Sequence, residues 1–324
     1  MTVATQNSRI TSGWVNRTSR ARIEIGGPDR AKFLHNLTTN DVKRLPEGQG
    51  QESFVTTLQG KTLAYLTVVA TEIDLQLRTE TASLDGLLPH LQKYGVFDDV
   101  VITDVSAGTF EYHLFGPEAV RFVEARGIEF PSDRGLCQVA TKIDDRFLVV
   151  LKESPTGRPG FTLVGSIDDA DALRATLDAT GLTEIDASTF DALRIEAGTP
   201  VSGRDVTLAN LPQEIGRDSK TINFVKGCYL GQETVARLDA LGHVNRILKG
   251  LTLEGSSRVP PDGSVLSFAG KTVGAITSAA FSSGRGCPVV LAYVKVAQAV
   301  AGTQLVVTIA GSGEVAALVH DLPF

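Results

Sequence analysis

Residues 226–237 read Lys-Gly-Cys-Tyr-Leu-Gly-Gln-Glu-Thr-Val-Ala-Arg. Apolar residues recur at 235, 238 and 241, the spacing of one buried helix face, and Gly242 stands where a C′ glycine ends a helix. The helix is therefore expected to begin at Cys228 or just after it, so that the thiol faces unpaired N–H groups and the positive end of the dipole. Lys226 adds a cation nearby. Both effects favour thiolate over thiol, so the stretch predicts a reactive cysteine.

Two other readings of Cys228 remain open at this point. Free cysteine often acts as a small buried hydrophobe. A Cys–His pair is the second possibility, but His243 lies fifteen residues further on, beyond the expected helix, and a loop histidine is the simpler interpretation. Glu233 and Arg237 are four residues apart and are expected to pair on the helix surface.

The pattern Lys-Gly-Cys-Tyr-x-Gly-Gln-Glu closely resembles the signature of the YgfZ family of folate-binding, iron–sulfur-related proteins. That family is related to GcvT, the aminomethyltransferase of the glycine cleavage system. The resemblance implies that Cys228 is the functional thiol and that Lys226 tunes it. The other motif positions are expected to support the turn and the helix start; they are Gly227, Tyr229, Gly231, Gln232, Glu233 and Arg237.

A second stretch, Leu-Arg-Ile-Glu-Ala-Gly at 193–198, resembles the Leu-Arg-Leu-Glu-Ala-Gly segment of GcvT-type proteins. There the glutamate binds the pterin ring of tetrahydrofolate, which implies Glu196 as the folate-binding residue and tetrahydrofolate as the cofactor. A carboxylate suits this role because it accepts two parallel hydrogen bonds from a 2-amino-pyrimidinone edge. The alternative is a surface glutamate paired with a neighbour. Arg204 and Lys61 are the candidate cations for the glutamate tail of the folate.

The resemblance to aminomethyltransferases also implies a catalytic aspartate in an Asn-Ala-type segment after a strand. The corresponding stretch, residues 75–81, reads Leu-Gln-Leu-Arg-Thr-Glu-Thr and has neither the Asn-Ala pair nor the aspartate. Asp85 follows inside an expected helix. The missing general acid or base argues against aminomethyl transfer of the GcvT type.

Composition narrows the function classes further. The 324 residues carry a formal net charge of -6 and 42% hydrophobic residues, which predicts two or three domains and no dedicated nucleic-acid surface. No apolar run is long enough to span a membrane. Three widely separated cysteines without a CxxC pattern favour a reducing compartment, and no local set of four ligands predicts a metal site. We therefore expect a cytoplasmic protein.

Hydrophobic periodicity predicts an α+β fold in four parts. Residues 1–108 form an N-terminal α/β subdomain after a loose tail of about a dozen residues, and 109–185 repeat a strand–helix–strand–strand–helix order that suggests a ferredoxin-like subdomain. Residues 186–245 return with the folate and cysteine motifs. Short strands between turn signals at 246–324 predict a Greek-key β-barrel. The whole arrangement resembles the GcvT folate-binding fold.

The function implied by the resemblance is a tetrahydrofolate-binding protein that assists iron–sulfur cluster assembly or repair. Its expected partners are a reduced folate and iron–sulfur client or assembly proteins, and its effect on tRNA modification would be indirect, without direct nucleic-acid binding. The competing function is a folate-dependent aminomethyl or one-carbon transferase of the GcvT type. A third possibility is a scaffold of the same fold that binds only proteins.

Overall fold

The protein is represented by a computed structural model that describes residues 10–132, 135–309 and 313–324, so most of the predicted N-terminal tail lies outside the described residues. In chain order the strands are β1 (Gly13–Asn16), β2 (Ala21–Gly26), β3 (Gly50–Thr56), β4 (Thr62–Ala70), β5 (Asp74–Thr79), β6 (Val101–Asp104), β7 (Thr109–Phe115), β8 (Cys137–Ile143), β9 (Arg146–Lys152), β10 (Gly160–Ser166), β11 (Arg246–Thr252), β12 (Val265–Phe268), β13 (Lys271–Ser282), β14 (Cys287–Lys295), β15 (Gln304–Ile309) and β16 (Gly313–His320). The helices are α1 (Arg30–Leu37), α2 (Leu84–Tyr94), α3 (Pro117–Glu124), α4 (Ala170–Ala179), α5 (Ala187–Glu196), α6 (Asp218–Thr221) and α7 (Gln232–Leu241).

The first sheet has the order β3-β4-β5-β2-β6, and every pair in it is antiparallel. Strand β4 alternates between buried and half-buried positions, as expected for a sheet with one face in the core. Helices α1 and α2 cover that face, where Phe33 and Leu87 pack with strand residues such as Ile23 and Leu66.

The second sheet has the order β1-β7-β10-β9-β8 and is also antiparallel throughout. Its edge strand β1 precedes the first sheet in the chain, so the second sheet is built from segments on both sides of the first one. Strand β8 is one strand more than the sequence predicts in this region. Phe110, Tyr112 and Leu114 of β7 face a core that includes Trp14 and helices α3 and α4. The polar residues between them, Glu111 and His113, face the other way.

The C-terminal part is a closed barrel with the order β11-β14-β13-β12-β15-β16. Three consecutive strands, β12, β13 and β14, pair as neighbours, and β11 lies beside β14, which is a Greek-key arrangement. The predicted barrel is therefore confirmed.

Helix α5 lies against barrel strands β13 and β14 and joins the barrel to the rest of the molecule. Ile195 of α5 packs with barrel residues such as Leu291 in a core cluster that also takes in Phe54 of the first sheet and Val235 of α7. Within the described ranges, no helix is long and apolar enough to cross a membrane.

Candidate functional site

A cleft of about 1370 Å³ lies where the two sheets, helix α5 and the barrel meet. The strands of both sheets present their polar face to it, and the C-terminal residues 322–324 close part of its rim. Charged side chains in its wall include Arg17, Arg20, Glu52, Glu80, Glu111, Glu153, Glu196, Arg217 and Arg285. The cleft is therefore large enough for an elongated small molecule and offers charges of both signs.

Glu196, the predicted folate-binding residue, is the last residue of α5 and lies half-buried in the wall of this cleft. The Ser282 hydroxyl of the barrel donates a hydrogen bond to Glu196 Oε1. The other carboxylate oxygen has no protein partner within the described ranges. Phe324 N donates to the backbone oxygen of Glu196 over 2.9 Å, which ties the C-terminus to the same point. A smaller cavity of about 420 Å³ also reaches Glu196. The carboxylate is thus placed to accept hydrogen bonds from a molecule in the cleft.

Arg204 and Lys61, the two cations predicted for the folate tail, are not among the residues that line the cleft. Arg204 bonds Asp191 over 2.7 Å and Asp262 over 2.6 and 3.0 Å, on the outer side of the barrel junction. Lys61 follows the tight turn between β3 and β4. That turn packs against the start of α7, where the Thr234 hydroxyl donates to the Gln59 carbonyl.

The cleft wall contains a buried ion-pair network that sequence reasoning did not predict. Arg78 of β5 donates to Glu111 of β7 over 2.8 and 3.0 Å and to Glu153 over 2.9 and 3.0 Å. Burial alone would raise the pKa of Glu153, but the Arg78 guanidinium outweighs it and holds that pKa at about 2. The sequence signal for this network was a charged residue inside each strand. A charged side chain on a covered face of a sheet must find hydrogen-bond or ion-pair partners.

A second charged group lies across the cleft. Arg217 donates to both carboxylate oxygens of Glu52, with distances between 2.6 and 2.9 Å. Its guanidinium carbon lies 5.7 Å from the ring centre of Tyr65, and burial raises the pKa of that phenol. Both walls therefore hold their charges in arginine–carboxylate pairs.

Residues 75–81, the stretch without the expected catalytic aspartate, include Arg78 and so belong to the ion-pair network of the cleft wall. Glu80 follows β5 and lines the cleft, where its Oε1 lies 2.5 Å from Arg17 and 3.0 Å from Arg20. Asp85 is exposed in the first turn of α2, away from the cleft. The carboxylates of this region are thus either held by arginines or turned to solvent.

Cys228 is exposed and is not among the residues that line the cleft. It also stands further from the helix than predicted, because α7 begins at Gln232 after Gly231 in a left-handed conformation at φ 81°. Gly231 is required there, since a Cβ would meet the Thr57 carbonyl oxygen at 2.3 Å. Val235 is buried, but Leu241 is 57% exposed, so the buried face of α7 is shorter than its pattern predicts.

Lys226 is buried and anchors the cysteine loop. Its Nζ donates to the carbonyls of His35, Thr38 and Asn40, at 2.6, 2.5 and 2.9 Å. These are groups at and just beyond the C-terminus of α1, where backbone carbonyls lack helical partners. Burial lowers the pKa of Lys226 to about 7. All three donors of the ammonium are used in this way, so Lys226 positions the loop that carries Cys228.

The other motif residues divide between structure and surface. Tyr229 is buried in the cluster around α7, with the Lys226 Nζ 4.8 Å from its ring centre, and its N–H donates to the Gln232 side chain over 3.3 Å. Glu233 and Arg237 are exposed and form no ion pair among the residues that the structure describes. Across the same ranges, no group of three or more His, Cys, Asp or Glu side chains is placed to hold a metal ion.

Comparison with known proteins identifies two matching families. Residues 5–221 match the GCVT N-terminal domain, and residues 246–324 match the glycine cleavage T-protein C-terminal barrel domain. The fold is that of the glycine cleavage system aminomethyltransferase T from Bartonella henselae, with a TM-score of 0.81, 22% identity and coverage of 98% of this chain and 87% of that one. The predicted fold class is therefore confirmed.

Similar sequences carry different names. The chain is 29% identical over 308 residues to a chloroplastic protein of Arabidopsis thaliana whose name calls it a transferase, covering 94% of this chain and 69% of that one. It is 28% identical to the tRNA-modifying protein YgfZ of Colwellia psychrerythraea, covering 70% and 67%, and 28% identical to an aminomethyltransferase of Cutibacterium acnes, covering 98% and 88%. Because the two domain matches together span most of the sequence, this chain belongs to the glycine cleavage T-protein (GcvT) family.

Proposed function

We propose that this protein binds a reduced folate, tetrahydrofolate or a one-carbon derivative, in the cleft between its sheets and barrel. The position of Glu196 carries the proposal, because its carboxylate lies in the cleft wall with one oxygen unpaired by the described protein. A pterin presents an amino group and a ring N–H side by side, which suits a carboxylate acceptor. Membership of the GcvT family supports the same ligand class.

Glu196→Ala is expected to weaken tetrahydrofolate binding at least roughly a hundredfold, because two charge-assisted hydrogen bonds contribute about 1.5–3 kcal/mol each. Calorimetric titration of the purified protein checks this, with micromolar affinity, about -8 kcal/mol, expected for the unchanged chain. Glu118→Ala is a matched control, since Glu118 is an exposed glutamate on α3 that pairs with Arg121. An unchanged affinity in Glu196→Ala, or no heat with any reduced folate, contradicts the proposal.

We further propose that the protein assists the assembly or repair of iron–sulfur clusters in client proteins, as its resemblance to YgfZ suggests, and that it does so in the cytoplasm. In this role an effect on tRNA modification is indirect, through client enzymes. The exposed thiol of Cys228 supports a role toward other proteins, because its loop also presents Phe224 and Val225 to solvent, the latter 89% exposed. Lys226 ties this loop to the end of α1 through hydrogen bonds to the His35 and Thr38 carbonyls.

The alternative function is a folate-dependent aminomethyltransferase, which is the name of several similar proteins. It is favoured by the coverage of the whole chain in those comparisons. The absence of the expected catalytic aspartate from residues 75–81 argues against it.

Cys228→Ser distinguishes the two functions. Cells that lack the protein are complemented with the unchanged protein or with Cys228→Ser, and the activity of an iron–sulfur enzyme is measured in each. Aminomethyl turnover is measured separately with the two purified proteins. Cluster assistance predicts loss of client activity in the variant, whereas a transferase keeps most of its turnover because Cys228 lies outside the cleft. The exposed position predicts a change in the free energy of unfolding of about 0.5 kcal/mol or less, which a denaturant titration checks.

A further inference from the structure

His113 is a buried polar residue in the cleft wall to which no role has yet been assigned. It lies on the face of β7 opposite the sheet's apolar core, lines the cleft and is 1% exposed. The ring stacks on Phe115 at 6.4 Å between centres and meets Phe190 of α5 edge-on at 6.2 Å. Gly160 leaves room for it, because a Cβ there would come within 2.8 Å of the imidazole.

The hydrogen bonds behind His113 determine its tautomer. The Thr162 hydroxyl donates to Glu153 Oε1 over 2.5 Å, and Glu153 is ionised because Arg78 holds its pKa at about 2. A hydroxyl has one proton to donate. The 2.9 Å contact between Thr162 Oγ1 and His113 Nδ1 must therefore use the Nδ1–H as the donor. Burial lowers the pKa of His113 to about 4, so the ring is neutral near pH 7. In that neutral tautomer Nε2 carries a lone pair and no proton.

Nε2 of His113 has no hydrogen-bond partner in the described protein, although it is buried. The nearby cations do not satisfy it: Arg78 is engaged by Glu111 and Glu153, and the Arg17 guanidinium lies over the Phe190 ring at 4.4 Å and bonds Glu80. A buried acceptor without a donor is destabilising, because it loses its hydrogen bond to water. The fold thus maintains a buried, unpaired acceptor on a residue that lines the cleft.

We propose that His113 Nε2 accepts a hydrogen bond from an N–H group of the molecule bound in the cleft and so selects a ligand that carries a donor there. This inference rests on the proposed function and deepens it. Phe190, which contacts the His113 ring, and Glu196 lie on the same helix, six residues or about 9 Å apart along its axis. One ligand that reaches both acceptors must be elongated and carry N–H groups at separated positions, as tetrahydrofolate does.

The first test measures affinity for tetrahydrofolate by calorimetry. His113→Phe keeps the ring size and is expected to weaken binding roughly tenfold, the effect of one buried hydrogen bond. Thr162→Val removes the acceptor for Nδ1–H and is expected to weaken binding several-fold, whereas Thr162→Ser keeps the hydroxyl and restores the affinity of the unchanged protein. A role in packing alone predicts that the nearly isosteric valine variant keeps the affinity of the unchanged protein.

The second measurement follows the nitrogen itself. The chain has five histidines, so ¹⁵N-histidine labelling gives few signals, and the one missing from His113→Phe is assigned to His113. We expect Nε2 to resonate as an unprotonated nitrogen in the free protein and to shift on addition of tetrahydrofolate. A protonated Nε2, an unmoved signal or an unchanged affinity in His113→Phe overturns the assignment while folate binding stands. Absence of binding by the unchanged protein overturns the proposed function and this assignment together.

Discussion

Asp205→Asn is expected to lower the free energy of unfolding by about 3–5 kcal/mol, because it breaks a fully buried ion pair. Asp205 and Arg194 have fully buried side chains, and their Oδ2 and Nη1 atoms are 2.6 Å apart. The same carboxylate accepts from Ser278 over 2.5 Å, Thr277 over 2.6 Å and the N–H of Val201 over 2.9 Å. An amide in this position turns two hydrogens toward existing donors and leaves the buried guanidinium with only the half-buried Asp191, at 2.8 Å, as a carboxylate partner.

Denaturant titration at pH 7 measures this effect. Asp262→Asn is the matched control, because that carboxylate also pairs with an arginine but is 47% exposed, and an exposed pair contributes about 0–1 kcal/mol. Equal losses in the two variants would show that burial does not determine the strength of the pair. Since Arg194 lies two residues before Glu196 on α5 and bonds Ser278 of the barrel, Asp205→Asn is also expected to loosen the helix that carries Glu196.

Arg78→Met is expected to lower the free energy of unfolding by about 3–5 kcal/mol at pH 7 as well. The substitution keeps an unbranched apolar stem but removes the guanidinium whose charge serves Glu111 and Glu153 together. Glu111 keeps contacts with Arg20 at 3.1 Å and Arg22 at 3.4 Å, whereas Glu153 loses its guanidinium partner. The penalty is therefore expected to fall mainly on Glu153.

The pH dependence of this loss identifies its cause. In the unchanged protein the pKa of Glu153 is about 2, below its ordinary value of 4.5, so its contribution to stability is present above 4.5 and is lost as pH falls toward 2. In Arg78→Met the buried carboxylate is uncompensated, its pKa rises, and protonation relieves the penalty. The difference between the two proteins should narrow between pH 7 and pH 3 in denaturant titrations. A difference independent of pH would assign the loss to packing.

Arg121→Met is the control for charge removal as such. Arg121 pairs with Glu118 over 2.7 Å, but its side chain is 72% exposed, so the expected loss is about 0.5 kcal/mol or less. A loss as large as that of Arg78→Met would contradict the assignment of the effect to burial.

The two candidate centres of this protein are separate places joined by the fold. The cleft is formed by both sheets, α5 and the barrel, and it contains Glu196 and His113. Cys228 lies on the surface, on a loop tied to the end of α1. Folate binding and a thiol function are therefore testable independently, and the variants at Glu196 and Cys228 separate them.

The local patterns of the sequence were sufficient for the fold class. Alternating strands, amphipathic helices and turn residues predicted the barrel and the mixed α/β units, because burial of one face imposes a period that is visible along the chain. The Leu-Arg-Ile-Glu-Ala-Gly stretch lies at the end of α5, whose last residue is Glu196. The cysteine motif predicted a glycine-ended helix after Cys228, as observed, although its start was displaced to Gln232.

Tertiary structure alone determined the partners of the charged residues. Lys226 was interpreted as a cation acting on Cys228, but its partners are backbone carbonyls 186 to 191 positions away in the chain. Arg204 was expected in the cleft and instead bonds Asp191 and Asp262. His113 was not predicted as a site residue, because only the folded sheet brings it beside Thr162 and the cleft. Periodicity records which side of an element is buried, whereas the direction and reach of a long polar side chain depend on which distant element packs against it, and that information is absent from local sequence.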